Sequence, residues 1–187
     1  MTSEELLERY AAGERDFSGV CIQEAELERA NLRGIILRGA SLIAANLYGA
    51  VLVDADLQGI NLRGSRLIGI QFQDSNLDNA DLRWANLTHS SCSRASLERA
   101  NLEEANLTHA RFVEADLTRT LQCNANLTKA NLTKAMMWGT VLEFSDLTEA
   151  NLTGARSYAV CSNSHTQGTL FENTIMPDGT IKSDIWV

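Results

Sequence analysis

Proline is almost missing from this chain: Pro177 is the only one in 187 residues. Proline-rich binding segments and stiff proline linkers are therefore excluded. No run of about 18 apolar residues occurs, so no transmembrane helix is expected. The first ten residues, Met-Thr-Ser-Glu-Glu-Leu-Leu-Glu-Arg-Tyr, lack the basic stretch and apolar core of a signal peptide, which makes the cytoplasm the expected compartment. Positive charge is scarce, with 16 Lys and Arg against 24 Asp and Glu and a formal net charge of −8. Direct binding to nucleic acid or to an anionic membrane calls for clustered cations, so neither is expected. The four cysteines (Cys21, Cys92, Cys123, Cys161) have no metal-ligand spacing, and the closest two are 31 residues apart. Reduced thiols are expected in the absence of an export signal. Glycine-rich phosphate loops, nucleophile elbows and paired-histidine metal motifs are absent, so neither a catalytic site nor a cofactor is expected.

What the chain does contain is a period. Stepping by five from Phe17 to Leu152 gives 28 consecutive positions without an insertion, of which 21 are Leu and only Gln122 is polar. The other exceptions are Phe17, Ile22, Phe72, Cys92, Phe112 and Met137. A second series, two residues ahead of the first, runs from Val20 to Ala150 and holds 17 Ala in 27 positions. Asn and Asp dominate the position between them, as at Asn46, Asp56, Asn86, Asn106 and Asn126, giving the consensus Ala-(Asn/Asp)-Leu-x-x.

A period of five suits neither ordinary element. On an α-helix at about 100° per residue, successive leucines fall about 140° apart and form no stripe. On a flat strand, an odd period turns every second Leu to the wrong face. The pattern closes only if the chain rounds a corner in each pentapeptide, which points Leu and Ala inward and the other three residues outward. Repeated turning in one sense builds a solenoid whose rungs pair about 4.8 Å apart. Asn and Asp suit the corner because their side chains bond nearby backbone groups. Glycine closes many of the early repeats (Gly34, Gly39, Gly49, Gly59, Gly64, Gly69) and supplies positive φ. The second half mostly carries Asn, Arg, His, Glu or Lys there, so turns of another type are expected in it.

The Ala-(Asn/Asp)-Leu-x-x array resembles the pentapeptide-repeat family over about three-quarters of the chain. The resemblance implies an all-β fold, a right-handed quadrilateral parallel β-helix with four pentapeptides per coil. Thr88, Thr108, Thr128 and Thr148, spaced by twenty, fit such a coil as an outward ladder. Three regions follow: an N-terminal helical cap (1–14), the β-helix of about seven coils (15–156), and a loop, partial rung and C-terminal cap (157–187). In the cap, Thr2 and Glu5 fit a capping box opening a short helix over 3–12, with Leu6, Leu7, Tyr10 and Ala11 on its apolar face. The five-residue phase breaks at Ser157, and Phe171 and Met176 resume a spacing of five in a new phase. A loop is expected over 157–168 and a last rung over 169–176, with Ile181, Ile185 and Trp186 covering the open end. This tail and the helical cap are similar to those of pentapeptide-repeat proteins from photosynthetic bacteria.

Three sets of residues are candidates for function. Ile43, Tyr48, Val53 and Ile68 occupy an outward position that elsewhere carries Arg, Gln, Glu or Thr, and form a candidate partner patch. Trp84, Trp138 and Phe144 also point outward. His89 and His109 should stack on adjacent coils, where two imidazoles alone make a weak metal or anion site. Cys92, inward between Phe72 and Phe112, reads as a volume-conserving core residue rather than a redox thiol. Gln122 is expected to keep its amide inward and bonded, between Leu102 and Leu142.

The expected function is a non-enzymatic rigid scaffold or protein-interaction module, monomeric, whose partner is another protein. The alternative comes from the family resemblance: some members mimic a DNA duplex and bind type II topoisomerases such as gyrase. Those are acidic dimers joined by a C-terminal helix, with loops projecting from the coils. Here the array has no insertion, no such helix is evident, and one outward column mixes signs as Asp54, Asp74, Arg94, Glu114 and Lys134.

Overall fold

A computed structural model describes residues 1–157 and 166–185. Each pentapeptide places its five backbone N–H groups in a fixed way, and that accounting makes the coil. In the repeat around Leu87, Ala85 N closes the preceding turn on Leu82 O (3.1 Å) and Asn86 N donates to Ser65 O one coil back (3.0 Å). Leu87 N and His89 N donate forward, to Asn106 O (2.8 Å) and Thr108 O (3.0 Å). Only Thr88 N is left over, and the Asn86 side-chain oxygen accepts from it at 3.1 Å. The same Asx bond recurs at Asn61, Asn76, Asp81, Asn101, Asn106, Asp116, Asn126 and Asn131. This is why the consensus wants Asn or Asp at that position.

Parallel bridges pair residues twenty apart from Asp16↔Ile36 through Met136↔Arg156, so four pentapeptides make one coil of a right-handed quadrilateral β-helix. The second corner residue of all 28 turns has positive φ: nine glycines at 60–69° and nineteen other residues at 50–60°. The expectation of a different turn in the non-glycine half is therefore corrected as to backbone sense. Bonds such as His89 N to Thr108 O hold the corner whatever residue occupies it, against an αL cost of about 1–2 kcal/mol per non-glycine residue.

Leu and Ala fill the interior, with Phe72, Cys92 and Phe112 fully buried in one column. At three positions where Ser or Thr replaces the inward Ala, its hydroxyl donates to the Leu carbonyl of the previous coil: Ser65 to Leu42 O (2.9 Å), Ser75 to Leu52 O (2.5 Å) and Thr140 to Leu117 O (2.8 Å). Gln122 is fully buried, as expected, and its Nε2 donates to Thr120 Oγ1 at 2.9 Å. Its Oε1 has no protein donor.

Both ends are covered. Helix α1 (Ser3–Ala11) has the full Thr2/Glu5 capping box and is the only helix among the described residues. Leu6 is buried against the first coil, Leu7 and Tyr10 are half-buried, and Ala11 is exposed, which corrects its assignment to the apolar face. The Ser3 hydroxyl accepts from Glu26 N (3.0 Å), and Tyr10 Oη donates to Arg33 O (2.7 Å). The helix thus satisfies ladder groups that have no coil before them.

At the other end, β1 (Leu170–Ile175) lies parallel on the last coil through Asp146↔Leu170 and Asn151↔Ile175, and β2 (Ile181–Ile185) pairs antiparallel with β1. The offset grows from 20 to 24, so this coil holds four extra residues. Phe171 and Met176 take up inward positions, as their spacing predicts. The regular turn restarts earlier than expected, at buried Thr166, whose carbonyl accepts from Thr169 N at 3.0 Å. Ile181 does not cover the end: it is 71% exposed. The ammonium of Lys182 instead lies 4.5 Å from the Phe171 ring centroid. Residues 158–165 of the expected loop, the Ile185 side chain and Trp186 lie outside the described residues.

Candidate interaction surface

The outside of the coil is four ribbons, each made of three outward columns, and every side chain on it is held by a backbone ladder. Tyr48 and Ile68 stand on adjacent coils of one column, and both are half-buried. The Tyr48 ring is flanked by the Arg66 guanidinium at 4.5 Å and that of Arg29 at 5.6 Å. Ile43 is 37% exposed on the ribbon before it. Val53, counted as outward in the patch, is only 7% exposed. It sits in a column between Gln73 and Arg33, whose side chain reaches across to Asp54 at 2.6 Å. Three of the four patch residues therefore offer surface and the fourth does not.

Trp84, Trp138 and Phe144 are exposed, as expected. Leu121 is exposed at a position where the consensus has Asn or Asp, and that departure is its signal in the sequence. It pairs with Val141 on the next coil. Ile43, Trp84, Leu121 and Phe144 all fall on the ribbon built over Leu42, Leu82, Gln122 and Leu142. The Trp84 ring lies under the Arg63 guanidinium at 4.2 Å, with Arg83 at 5.6 Å. Phe144 rests on Gly168, where an added Cβ would come within 2.4 Å of the ring.

His89 and His109 stack, with ring centroids 4.7 Å apart and planes 12° apart. The Thr88 and Thr108 hydroxyls beside them donate to Asn86 and Asn106, each at 2.6 Å. Among the described residues no group of three or more His, Cys, Asp or Glu converges as a metal site. Burial pushes the Cys92 thiol up to about 12, so it stays protonated at neutral pH. Cys123 is also raised, by burial first and by Glu143 and Glu103 beside it.

Charges in the outward columns pair along the axis. Arg94 grips Asp74 with two bonds of 2.7 Å, and Lys134 meets Glu114 at 3.4 Å. Among the described residues no helix is long and apolar enough to cross a membrane.

A rod of stacked twenty-residue coils with Leu and Ala inside defines the class: a right-handed quadrilateral β-helix. The chain belongs to the pentapeptide-repeat family, whose repeats it matches in eight copies over residues 25–64, 55–91, 65–103, 85–121 and 125–156. Among solved structures it is similar to HetL, a pentapeptide repeat protein involved in heterocyst differentiation regulation in the cyanobacterium Nostoc sp. strain PCC 7120. That similarity is 27% identity over 97% of this chain and 100% of HetL, with a TM-score of 0.41. A trypsin-treated form of QnrB1, a plasmid-mediated fluoroquinolone resistance protein, is 22% identical over 86% of this chain and 72% of its own, with a TM-score of 0.55. The pentapeptide repeat protein alr5209 of Nostoc is 30% identical over 54% of this chain and 80% of its own, with a TM-score of 0.35. No curated protein matches the chain.

Proposed function

We propose that this protein is a non-enzymatic, rigid interaction scaffold whose partner is another protein. The observation that carries this reading is the placement of large apolar side chains on a ladder-held exterior. Ile43 is exposed, and Tyr48 and Ile68 are half-buried, at positions that carry polar residues on other coils. A backbone fixed by inter-coil bonds lets such a surface bind without an ordering cost. The topoisomerase reading has weaker support. QnrB1 shares the fold with this chain, while Asp74 and Glu114 are neutralised by Arg94 and Lys134 on neighbouring coils, so the acidic surface is interrupted.

The test is affinity purification with the parent and a Tyr48→Thr/Ile68→Thr variant as baits. Thr already fills this column at 88, 108, 128 and 148, so the coil accepts it. A protein enriched by the parent and lost by the variant, at equal thermal midpoints, supports the reading. Retention of every enriched protein by the variant removes this patch from it, and enrichment of none removes the scaffold reading.

A further inference from the structure

One ribbon of this rod is complementary to itself. Trp84 and Phe144 are exposed by 44% and 59% and stand in the same outward column, three coils apart. Arg83 and Glu143, the residues just before them, share the neighbouring column, again three coils apart. With rungs about 4.8 Å apart, both separations are about 14 Å. Consider two copies laid antiparallel, ribbon to ribbon, with a two-fold axis crossing the ribbon between the coils of Glu104 and Asn124. Each column then meets itself reversed. Trp84 of one copy faces Phe144 of the other, and Arg83 faces Glu143. The symmetry repeats both contacts.

We propose that this ribbon is the interface of an antiparallel homodimer, in place of the monomer expected from sequence. This goes beyond the scaffold reading and uses different residues. The charge pattern names the occupant. At the N-terminal end of the ribbon Arg63 lies over the Trp84 ring, and Arg83 is paired with Asp81 through bonds of 2.9 and 2.6 Å. Glu103, Glu104 and Glu143 follow toward the C-terminal end. A parallel pair would place each coil against its own equivalent and set like charges together. In the antiparallel pair Arg83 faces Glu143, while Glu103 and Glu104 face the uncharged Cys123 and Asn124.

The aromatic contacts suit a hot spot, since each ring is anchored: Trp84 beside two guanidinium groups and Phe144 on the Gly168 backbone. The area is also sufficient. Four coils of about seven, on one ribbon of four, come to roughly a seventh of the 8227 Å² surface. That is on the order of 1000 Å² per copy, against about 800 Å² for a standard interface.

Sedimentation equilibrium of the full chain tests this. The parent is expected to be dimeric, and Arg83→Glu or Glu143→Arg alone to weaken the dimer by about tenfold or more. The double reversal, Arg83→Glu with Glu143→Arg, restores opposite signs and is expected to restore the dimer. Phe144→Asn provides an uncharged check, because Asn124 holds the same corner at φ 56°; it too is expected to give monomer. Thermal midpoints verify that each variant is folded. A monomeric parent overturns the proposal. So does a dimer that resists both single reversals, or one that the double reversal fails to restore.

Discussion

In the interior of the sixth coil, Gln122 Nε2 donates to Thr120 Oγ1 at 2.9 Å, and Thr120 Oγ1 in turn donates to Leu117 O at 2.8 Å. The amide therefore has a buried partner on one side only, since Oε1 finds no protein donor. Leaving that acceptor bare costs roughly 1–3 kcal/mol. Gln122→Leu removes it, restores the residue of neighbouring coils at Leu102 and Leu142, and leaves Thr120 bonded to Leu117. We expect the variant to be more stable by about 1 kcal/mol in urea denaturation. A loss of stability would mean that the amide stabilises the coil.

The thiols should separate by burial. Cys92 is sealed between Phe72 and Phe112 with its pKa pushed up to about 12, whereas Cys21 is exposed. In a Cys161→Ser background, a thiol reagent at pH 8 should modify Cys21 within the first phase and Cys123 more slowly. Cys92 should react only on unfolding. Rapid modification of Cys92 in the folded protein would show that the coil opens there.

Acid should weaken the fold through three aspartates. Hydrogen bonds from Arg38, Arg94 and Arg83 hold the carboxyls of Asp56, Asp74 and Asp81 below the usual aspartate range. A carboxyl with a lowered folded pKa contributes stability that is present above its unfolded pKa of about 3.9, and the contribution fades as pH falls through the folded value. The thermal midpoint should therefore drop below about pH 4, and less steeply in the Asp56→Asn/Asp74→Asn/Asp81→Asn variant. Because all three pairs reach solvent, with Asp56 and Asp81 half-buried, added salt should shrink the difference. Identical pH profiles for parent and variant would refute the assignment.

Corner positions invert the usual glycine rule. Ala44 holds φ 55° at a turn where Gly49, one turn later, holds 63°. Ala44→Gly should be neutral or stabilising by up to about 1 kcal/mol, since relief of αL strain offsets the entropy of the unfolded chain. A Gly variant that melts clearly below the parent would mean that the corner carries no such strain.

Much of this was legible in the sequence because the pattern is local and repeats without a break. Leu and Ala at a period of five have only one way to stay out of water, which fixes the corner in each pentapeptide and the inward columns. Asn and Asp between them signal the one amide the ladder leaves unpaired. Even the His89–His109 stack followed from a spacing of twenty.

What the sequence could not decide depends on bonds between coils and on how side chains cover one another. The non-glycine corners keep positive φ because bonds such as His89 N to Thr108 O outweigh residue preference. Val53 is hidden although its repeat position points outward, and its burial is set by neighbouring coils rather than by its own pentapeptide. The four extra residues of the last coil and the exposure of Ile181 likewise appear only once β1 is paired with the coil before it. Repeat position gives the direction of each side chain, and only the packed coils give its exposure.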